Sequence, residues 1–336
     1  MPTWPRIESG DLTGKVLDGH THVGINVAGY FAGNYPYCQS VEDLLYRLNA
    51  NGVDVAVAFP LGPCSFFDTR RFLLDQRRVP ASPRLSAAPY VMENRSLCSE
   101  VYEKVPGAVG RILPFACIDP GRFVRAQIQA LEALLSEYPV YGFKAVGVSI
   151  QSSHRHLKGK GEAFLRLAAE RNLPVLMHST AYEGDRYSHT RINLAVARAF
   201  PNVRFCLAHC LGFDRVHLEE AAAMPNVWVD SAAMKIQIEP QEILAPLARR
   251  FPSDYSDYRR VFGDLVRAYP DTMIWGSDSP AYTYIEKRRY ADGSTVNFIL
   301  CGSYEQEKAA LNVLSPTQAR QVANANPRRF LFGHAD

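Results

Sequence analysis

Val16-Leu17-Asp18-Gly19-His20-Thr21-His22, close to the first residue of the chain, indicates both the architecture and the chemistry of the protein. A short apolar run, typical of a buried strand, is followed here by two histidines at positions i and i+2. Residues two apart on a strand point to the same side, so both imidazoles can reach one metal ion. The stretch therefore predicts a strand whose carboxyl end presents two metal ligands.

Three more potential ligands each end a later apolar run. His178 follows Pro174-Val175-Leu176-Met177, His209 follows the run 203–208, and Asp278 follows the run 273–277. In a closed parallel barrel the carboxyl ends of the strands converge on one face, so residues far apart in sequence can share one ion. Imidazole nitrogens with a carboxylate suit catalytic zinc, and manganese or iron would accept the same set.

Strand-like runs alternate with helical patterns along the chain, which predicts a parallel sheet with right-handed crossovers. Eight such strands predict closure into a barrel, so we expect an α/β fold, a distorted (β/α)8 barrel in which residues 1–336 form one domain. The predicted strands are 16–19, 53–59, 111–118, 140–145, 174–178, 203–209, 227–230 and 273–277; the predicted helices are 41–50, 123–138, 162–171, 191–200, 215–223, a stretch 241–269 broken at Pro252, and a last helix from Ser315.

Three long insertions, 60–110, 231–271 and 279–303, are expected to lie over the metal-bearing face and to shape the substrate pocket. The first contains four arginines. These could bind a carboxylate substrate, or they could lie on a solvated surface helix. The four are Arg70, Arg71, Arg77 and Arg78.

Composition excludes several classes of partner. The net charge is +3 and the basic residues are scattered, so we expect a small-molecule substrate and neither a nucleic acid nor an anionic membrane as partner. The first ten residues lack the pattern of a signal peptide, and no apolar run approaches about 18 residues, so a cytoplasmic protein is expected. Seven cysteines without framework spacing fit reduced thiols, and Cys206 and Cys210 are interpreted as small buried residues.

The chain contains a second pair with the same spacing, His154-Arg155-His156, inside the polar stretch 151–161. We interpret that stretch as an exposed loop without a metal role. Asp18 would face the same side as His20 and His22 and could orient them, or it could make a hydrogen bond in a turn.

As a set, these motifs resemble the amidohydrolase superfamily, and more narrowly its amidohydrolase-related branch (amidohydrolase 2) of metal-dependent hydrolases and decarboxylases. The resemblance spans the chain from Val16 to Phe330, including Trp275-Gly276-Ser277-Asp278 and the closing Asn326-Pro327-Arg328-Arg329-Phe330. It implies that one divalent ion, usually zinc, is held by His20, His22, His178 and Asp278, with His209 close to the bound water. It also suggests a homodimer.

Lys144, in Gly142-Phe143-Lys144 at the end of the fourth predicted strand, leaves two possibilities open. In two-metal members of the superfamily a lysine at that place is carbamylated and bridges two ions. The branch resembled here mostly uses one metal, so we expect an unmodified lysine that contacts a carboxylate or carbonyl oxygen of the substrate.

The resemblance implies an enzyme in which metal-activated water hydrolyses an amide, lactone or related carbonyl bond of a small substrate. Asp278 would move a proton to the leaving group, and His209 would act as the base or stabilise the oxyanion. The alternative is a zinc-dependent nonoxidative decarboxylase, a carbon–carbon lyase, acting on a small carboxylated substrate.

Overall fold

A computed structural model describes residues 4–27, 38–75, 77–243, 249–281, 283–289 and 295–333. Parts of the predicted helical stretch 241–269 and of the insertion 279–303 therefore lie outside the described residues.

The described chain forms one large curled sheet in which the neighbouring strands are parallel, except for a short antiparallel strand at its edge. The sheet closes because the first strand also bonds to the segment that follows the last one: Gly19 N–H donates to Trp275 O (3.0 Å), and Asp278 N–H donates to His20 O (2.8 Å). The predicted barrel is confirmed. In order across the sheet the strands are β2 (Cys38–Gln39), β1 (Leu17–Ile25), β3 (Val55–Pro60), β4 (Ile112–Ile118), β5 (Gly142–Ala145), β6 (Val175–Met177), β7 (Phe205–Leu207), β8 (Val227–Asp230) and β9 (Met273–Ile274).

The barrel strands are buried on both sides, as parallel strands covered by helices usually are. Along β3, Val55 and Val57 belong to the apolar cluster inside the barrel, whereas Ala56 and Ala58 belong to the cluster between sheet and helices. This alternation follows from the two-residue period of a strand. It explains why these strands read as continuous apolar runs in the sequence.

The helices surround the sheet, and several match their predicted bounds closely. Helix α1 begins after Ser40, whose side chain forms a capping box with Asp43, and it buries Val41, Leu44 and Leu48 on one face. The described helices are α1 (Val41–Ala50), α2 (Thr69–Asp75), α3 (Val91–Ser99), α4 (Val124–Glu137), α5 (Gly147–Ile150), α6 (Glu162–Glu170), α7 (Thr190–Ala199), α8 (Arg215–Ala222), α9 (Met234–Ile243), α10 (Tyr258–Ala268), α11 (Tyr304–Ala309), α12 (Pro316–Arg320) and α13 (Asn326–Phe332). None of the described helices is long and apolar enough to cross a membrane.

Two features differ from the sequence predictions. The stretch interpreted as an exposed loop contains a 3₁₀ helix, His154–Lys158, in which His154 is fully buried. That interpretation was wrong because both ring nitrogens of His154 find partners inside the protein, which the polar sequence around it does not reveal. The third insertion contains an unpredicted antiparallel hairpin of β10 (Thr283–Arg289) and β11 (Thr295–Cys301).

Candidate metal centre

Three of the predicted ligands meet at the carboxyl end of the barrel. The ligand atoms of His20, His22 and Asp278 all lie within 4.8 Å of one another. The His22 Nε2 and His20 Nε2 atoms are 3.0 and 3.1 Å from the same Asp278 Oδ1. Barrel closure brings His20 and His22 of β1 next to Asp278, which follows β9. The close approach requires a glycine at 276, where a Cβ atom would lie 2.8 Å from His20 Cβ.

The other two histidines form a pair of their own beside this cluster. His178 Nδ1 lies 3.0 Å from His209 Nε2, and the rings of His20 and His209 are 5.4 Å apart. His178 is thus placed next to His209 at the ends of β6 and β7. Its coordination to the same ion as His20 and His22 stays a prediction.

The side chain of Lys144, on β5, contacts His20 of the ligand cluster. Its Nζ atom lies 3.0 Å from His20 Nε2 and 4.2 Å from the centre of the Phe59 ring. Burial lowers the pKa of Lys144 to about 8, so the amine keeps most of its positive charge at neutral pH. The ammonium group therefore lies beside the imidazole of His20 and close to the carboxylates of Asp230 and Asp278.

Hydrogen bonds from the surroundings fix which ring nitrogen faces the centre. A carboxylate only accepts, so the Nδ1–H group of His20 donates to Asp230 Oδ2 (2.8 Å), and Nε2 is the ring nitrogen that faces Asp278 and Lys144. In the same way Nδ1–H of His209 donates to Ala232 O (2.9 Å), which leaves its Nε2 unprotonated. These two partners hold the imidazoles of His20 and His209 with the Nε2 atom turned toward the centre.

The protonation states also fit a divalent cation. Burial lowers the pKa of His22 to about 4 and lowers the pKa values of His178 and His209, so these rings are neutral at pH 7. Burial alone would raise the pKa of Asp278, but the charge on His20 and hydrogen bonds from His20 and His22 hold it well below its usual value. Burial and Lys144 lower the pKa of His20, yet Asp230 and Asp278 outweigh them and raise it. The neutral rings of His22, His178 and His209 and the ionised Asp278 are groups that zinc can bind.

Two of these residues have an unusual backbone. His209 and Asp278 adopt left-handed conformations, with φ of 60° and 65°, although neither is glycine. Such residues cost about 1–3 kcal/mol each and are concentrated at functional sites. The strain supports a chemical role for this pair.

Sequence reasoning missed Asp230, the last residue of β8. Besides His20, its carboxylate accepts hydrogen bonds from the backbone N–H groups of His209 and Ala232 (3.0 and 3.1 Å), so it joins three parts of the centre. A signal was present, because Val227-Trp228-Val229-Asp230 ends a predicted strand in a carboxylate, as Asp278 does.

Asp18 has the structural role that was left open. Its fully buried carboxylate accepts hydrogen bonds from the backbone N–H groups of His20 and Ser277 (3.1 and 3.0 Å) and from the Tyr304 hydroxyl (2.9 Å). Burial raises its pKa to about 6. The bond from His20 N–H is the local hydrogen bond that was one of the two predictions, and the bonds from Ser277 and Tyr304 also connect Asp18 to the far end of the chain.

The arginines of the first insertion fall into two groups. Arg70, Arg71 and Arg77 are exposed, and Arg71 pairs with Asp75 along α2. Arg78 is half-buried, packs over the Phe72 ring and donates from Nε to Ser149 O (2.9 Å), in the α5 helix that follows the Lys144 strand. Cys206 and Cys210 are buried thiols, as predicted.

Comparisons with known proteins agree with this fold. Three solved structures cover 94–95% of this chain. A Pseudomonas putida protein assigned as a 2-pyrone-4,6-dicarboxylic acid hydrolase has 15% identity and a TM-score of 0.55, with 97% of its own chain covered. A 2,6-dihydroxybenzoate decarboxylase has 10% identity and a TM-score of 0.57, with 99% covered. An uncharacterised TIM-barrel protein from Bordetella bronchiseptica has 12% identity and a TM-score of 0.57, with 98% covered.

None of the curated protein sequences compared with the chain matches it significantly. At these identities the structural matches show the fold alone. The model of one family, described as amidohydrolase, matches residues 17–333. This family includes hydrolases and decarboxylases, and its members generally bind a divalent metal. The chain belongs to the amidohydrolase family.

Proposed function

We propose that the protein is a metal-dependent hydrolase that cleaves an amide, lactone or related carbonyl bond of a small substrate. The observation that supports this best is the convergence of His20, His22 and Asp278 on one point. A divalent ion bound there would supply Lewis-acid polarisation of the carbonyl and would lower the pKa of a water molecule to about 7. Zinc is the ion we propose, while Mn²⁺ or Fe²⁺ would also suit the ligands.

Asp278 and His209 are the groups we propose for proton transfer. Asp278 is ionised at neutral pH, so its carboxylate can accept a proton and pass it to the leaving group. His209 has its Nδ1–H engaged with Ala232 O, so Nε2 is the atom that can take a proton. This tautomer favours a base over a hydrogen-bond donor to an oxyanion.

His178 and Lys144 decide how many ions the site holds. In the proposal with one ion, His178 is the fourth ligand, and Lys144 stays unmodified and contacts an oxygen of the substrate. In the alternative with two ions, Lys144 is carbamylated and the pair of His178 and His209 holds the second ion. The 3.0 Å separation of the two ring nitrogens fits either arrangement.

A decarboxylase is the second candidate, and the buried ammonium of Lys144 is the observation that favours it. A cation beside His20 would hold the carboxylate of a substrate. This feature suits a carboxylated ring substrate.

The two activities can be separated with the compounds named for the structural relatives. Zinc-loaded protein would be incubated with 2-pyrone-4,6-dicarboxylate and with carboxyl-labelled 2,6-dihydroxybenzoate in water enriched in oxygen-18. Hydrolysis places the heavy oxygen in the product, whereas decarboxylation releases labelled carbon dioxide. Metal-free protein is the control. Equal conversion of each compound with and without zinc would contradict both metal-dependent activities.

His209→Asn tests the assignment of the base. We expect zinc content to stay near one ion per chain and turnover to fall by about 10²–10⁴-fold, the usual contribution of a general base. His156→Asn is the matched control and should retain activity. Unchanged turnover in His209→Asn would contradict the role, and loss of one of two bound ions would favour the two-metal arrangement.

A further inference from the structure

His154 is a fully buried histidine outside the ligand set, and it joins two loops of the centre. It belongs to the 3₁₀ helix after α5, between the strand of Lys144 and the strand that ends before His178. The backbone N–H of Gly147 donates to His154 Nε2 (2.9 Å). On the other side, His154 Nδ1 lies 2.7 Å from Asn193 Oδ1.

The tautomer of this ring is determined by its partners. Because a backbone N–H donates to Nε2, that atom has no proton, so Nδ1 carries the hydrogen and donates to the amide oxygen of Asn193. The ring is neutral and both nitrogens are satisfied. Gly147 permits the close packing, since a Cβ atom there would lie 3.0 Å from His154 Nε2 and 2.7 Å from Ser152 O.

Asn193 continues the connection to the predicted ligand. Its Nδ2 group donates to the backbone oxygen of His178 (2.9 Å) and to Ser179 Oγ (2.8 Å). The same segment is held from the barrel side, because His178 N–H donates to Ala145 O (2.9 Å). The backbone of His178 is therefore hydrogen-bonded on one side to β5 and on the other side to Asn193, which contacts His154.

We propose that His154 is a positioning residue that acts through Asn193 to set the position of His178 relative to Lys144, and thereby the affinity of the site for its metal ion. This inference rests on the proposed metal-dependent function. Gly147 is three residues after Lys144, and Asn193 contacts the His178 backbone, so one imidazole ties together the loops of two site residues. Residues that hydrogen-bond directly to ligands typically change metal affinity by about 10–100-fold, and we expect the lower end of that range because His154 acts through Asn193.

The test compares His154→Phe with His156→Phe in the full chain. His154→Phe keeps a ring and removes both hydrogen bonds, while His156 lies two residues away and is only partly buried. Zinc dissociation constants would be measured by competition with a chromophoric chelator. We expect zinc binding about tenfold weaker in His154→Phe, and a change within twofold in His156→Phe.

Two further measurements separate positioning from stability. Cobalt-loaded His154→Phe should show an altered visible spectrum, because the arrangement of ligands around the ion changes, whereas a purely structural role would lower only the unfolding temperature of metal-free protein. His154→Gln, which can replace one hydrogen bond at a time, should bind zinc with intermediate affinity. If His154→Phe does not fold, the test compares His154→Gln with His156→Gln. We then expect zinc binding to be at least threefold weaker in His154→Gln than in His156→Gln.

Unchanged zinc affinity and cobalt spectrum in a folded His154 variant, or equal losses in the two histidine variants, would overturn the positioning role. Failure of the wild-type protein to bind zinc, manganese or iron would instead contradict the proposed function itself.

Discussion

The two His-x-His pairs have the same spacing in the sequence, but one lies on an extended strand and the other in a helix. His20 and His22 lie on a strand, with rings 5.5 Å apart and both Nε2 atoms close to Asp278. His154 and His156 lie in a 3₁₀ helix, where three residues make a turn, so side chains two apart point to different sides. His154 is buried and His156 is partly exposed. The spacing therefore indicates a metal pair only when the backbone is extended.

The largest expected difference between the pairs is in metal retention. His20→Ala should weaken zinc binding by more than about a hundredfold, because it removes a ligand, and even outer partners contribute 10–100-fold. His156→Ala should leave the zinc content of purified protein unchanged. Metal analysis after gel filtration measures both. Full zinc content in His20→Ala would contradict the proposed difference, since the strand pair would then bind zinc no better than the helical pair.

Asp230→Asn should have an intermediate effect, because it acts on the orientation of the strand pair. The variant keeps an oxygen for the backbone N–H groups but can place an amide N–H opposite His20 Nδ1–H, which would favour the wrong tautomer. We expect zinc affinity to fall by about 10–100-fold with little change in the folded structure. Chelator competition measures the affinity. An affinity equal to wild type would show that His20 needs no carboxylate to face the ion.

The smallest expected effect concerns the pH dependence of the free energy of unfolding. Burial lowers the pKa of His154 from 6.5 to about 4, so the unfolded chain binds a proton that the folded protein does not. The stability due to neutral His154 is present above pH 6.5 and is lost as the pH falls toward 4, by up to about 1.4 kcal/mol per pH unit.

Urea unfolding of metal-free protein between pH 7 and pH 5 would measure this loss. His154→Gln should show a shallower decline than wild type, although it is less stable at pH 7. His156→Gln is the control and should decline more nearly as wild type does, since His156 is only partly buried. Parallel curves for His154→Gln and wild type would contradict a neutral buried imidazole.

Much of the fold could be predicted because most of its signals are local. Helix α1 has both predicted bounds, Val41 and Ala50, since a capping box and a regular apolar stripe specify it. The sequence predicts the barrel strands as apolar runs, and most of them are shorter in the structure than in the prediction. The sequence analysis does not predict the hairpin of β10 and β11, although Asp292-Gly293, a dipeptide typical of hairpin turns, lies between these two segments in the sequence.

The candidate site was predictable only in part, because its supporting contacts join residues far apart in sequence. Ligand types at strand ends indicated His20, His22 and Asp278, which the structure brings together. The burial of His154 depends on Asn193, 39 residues away, and the role of Asp230 depends on His20, 210 residues away. No local pattern specifies such pairs.

Barrel closure between His20 and Asp278 has a consequence for biosynthesis. The ribosome makes the histidine pair early, but Asp278 and its backbone bond to His20 O exist only after the eighth barrel strand has been synthesised. Asn326, at the start of α13, donates to Met273 O (2.6 Å), so the last described helix also contacts that strand. A nascent chain therefore contains the two imidazoles before their carboxylate, and the proposed metal site is complete only after translation has passed residue 326.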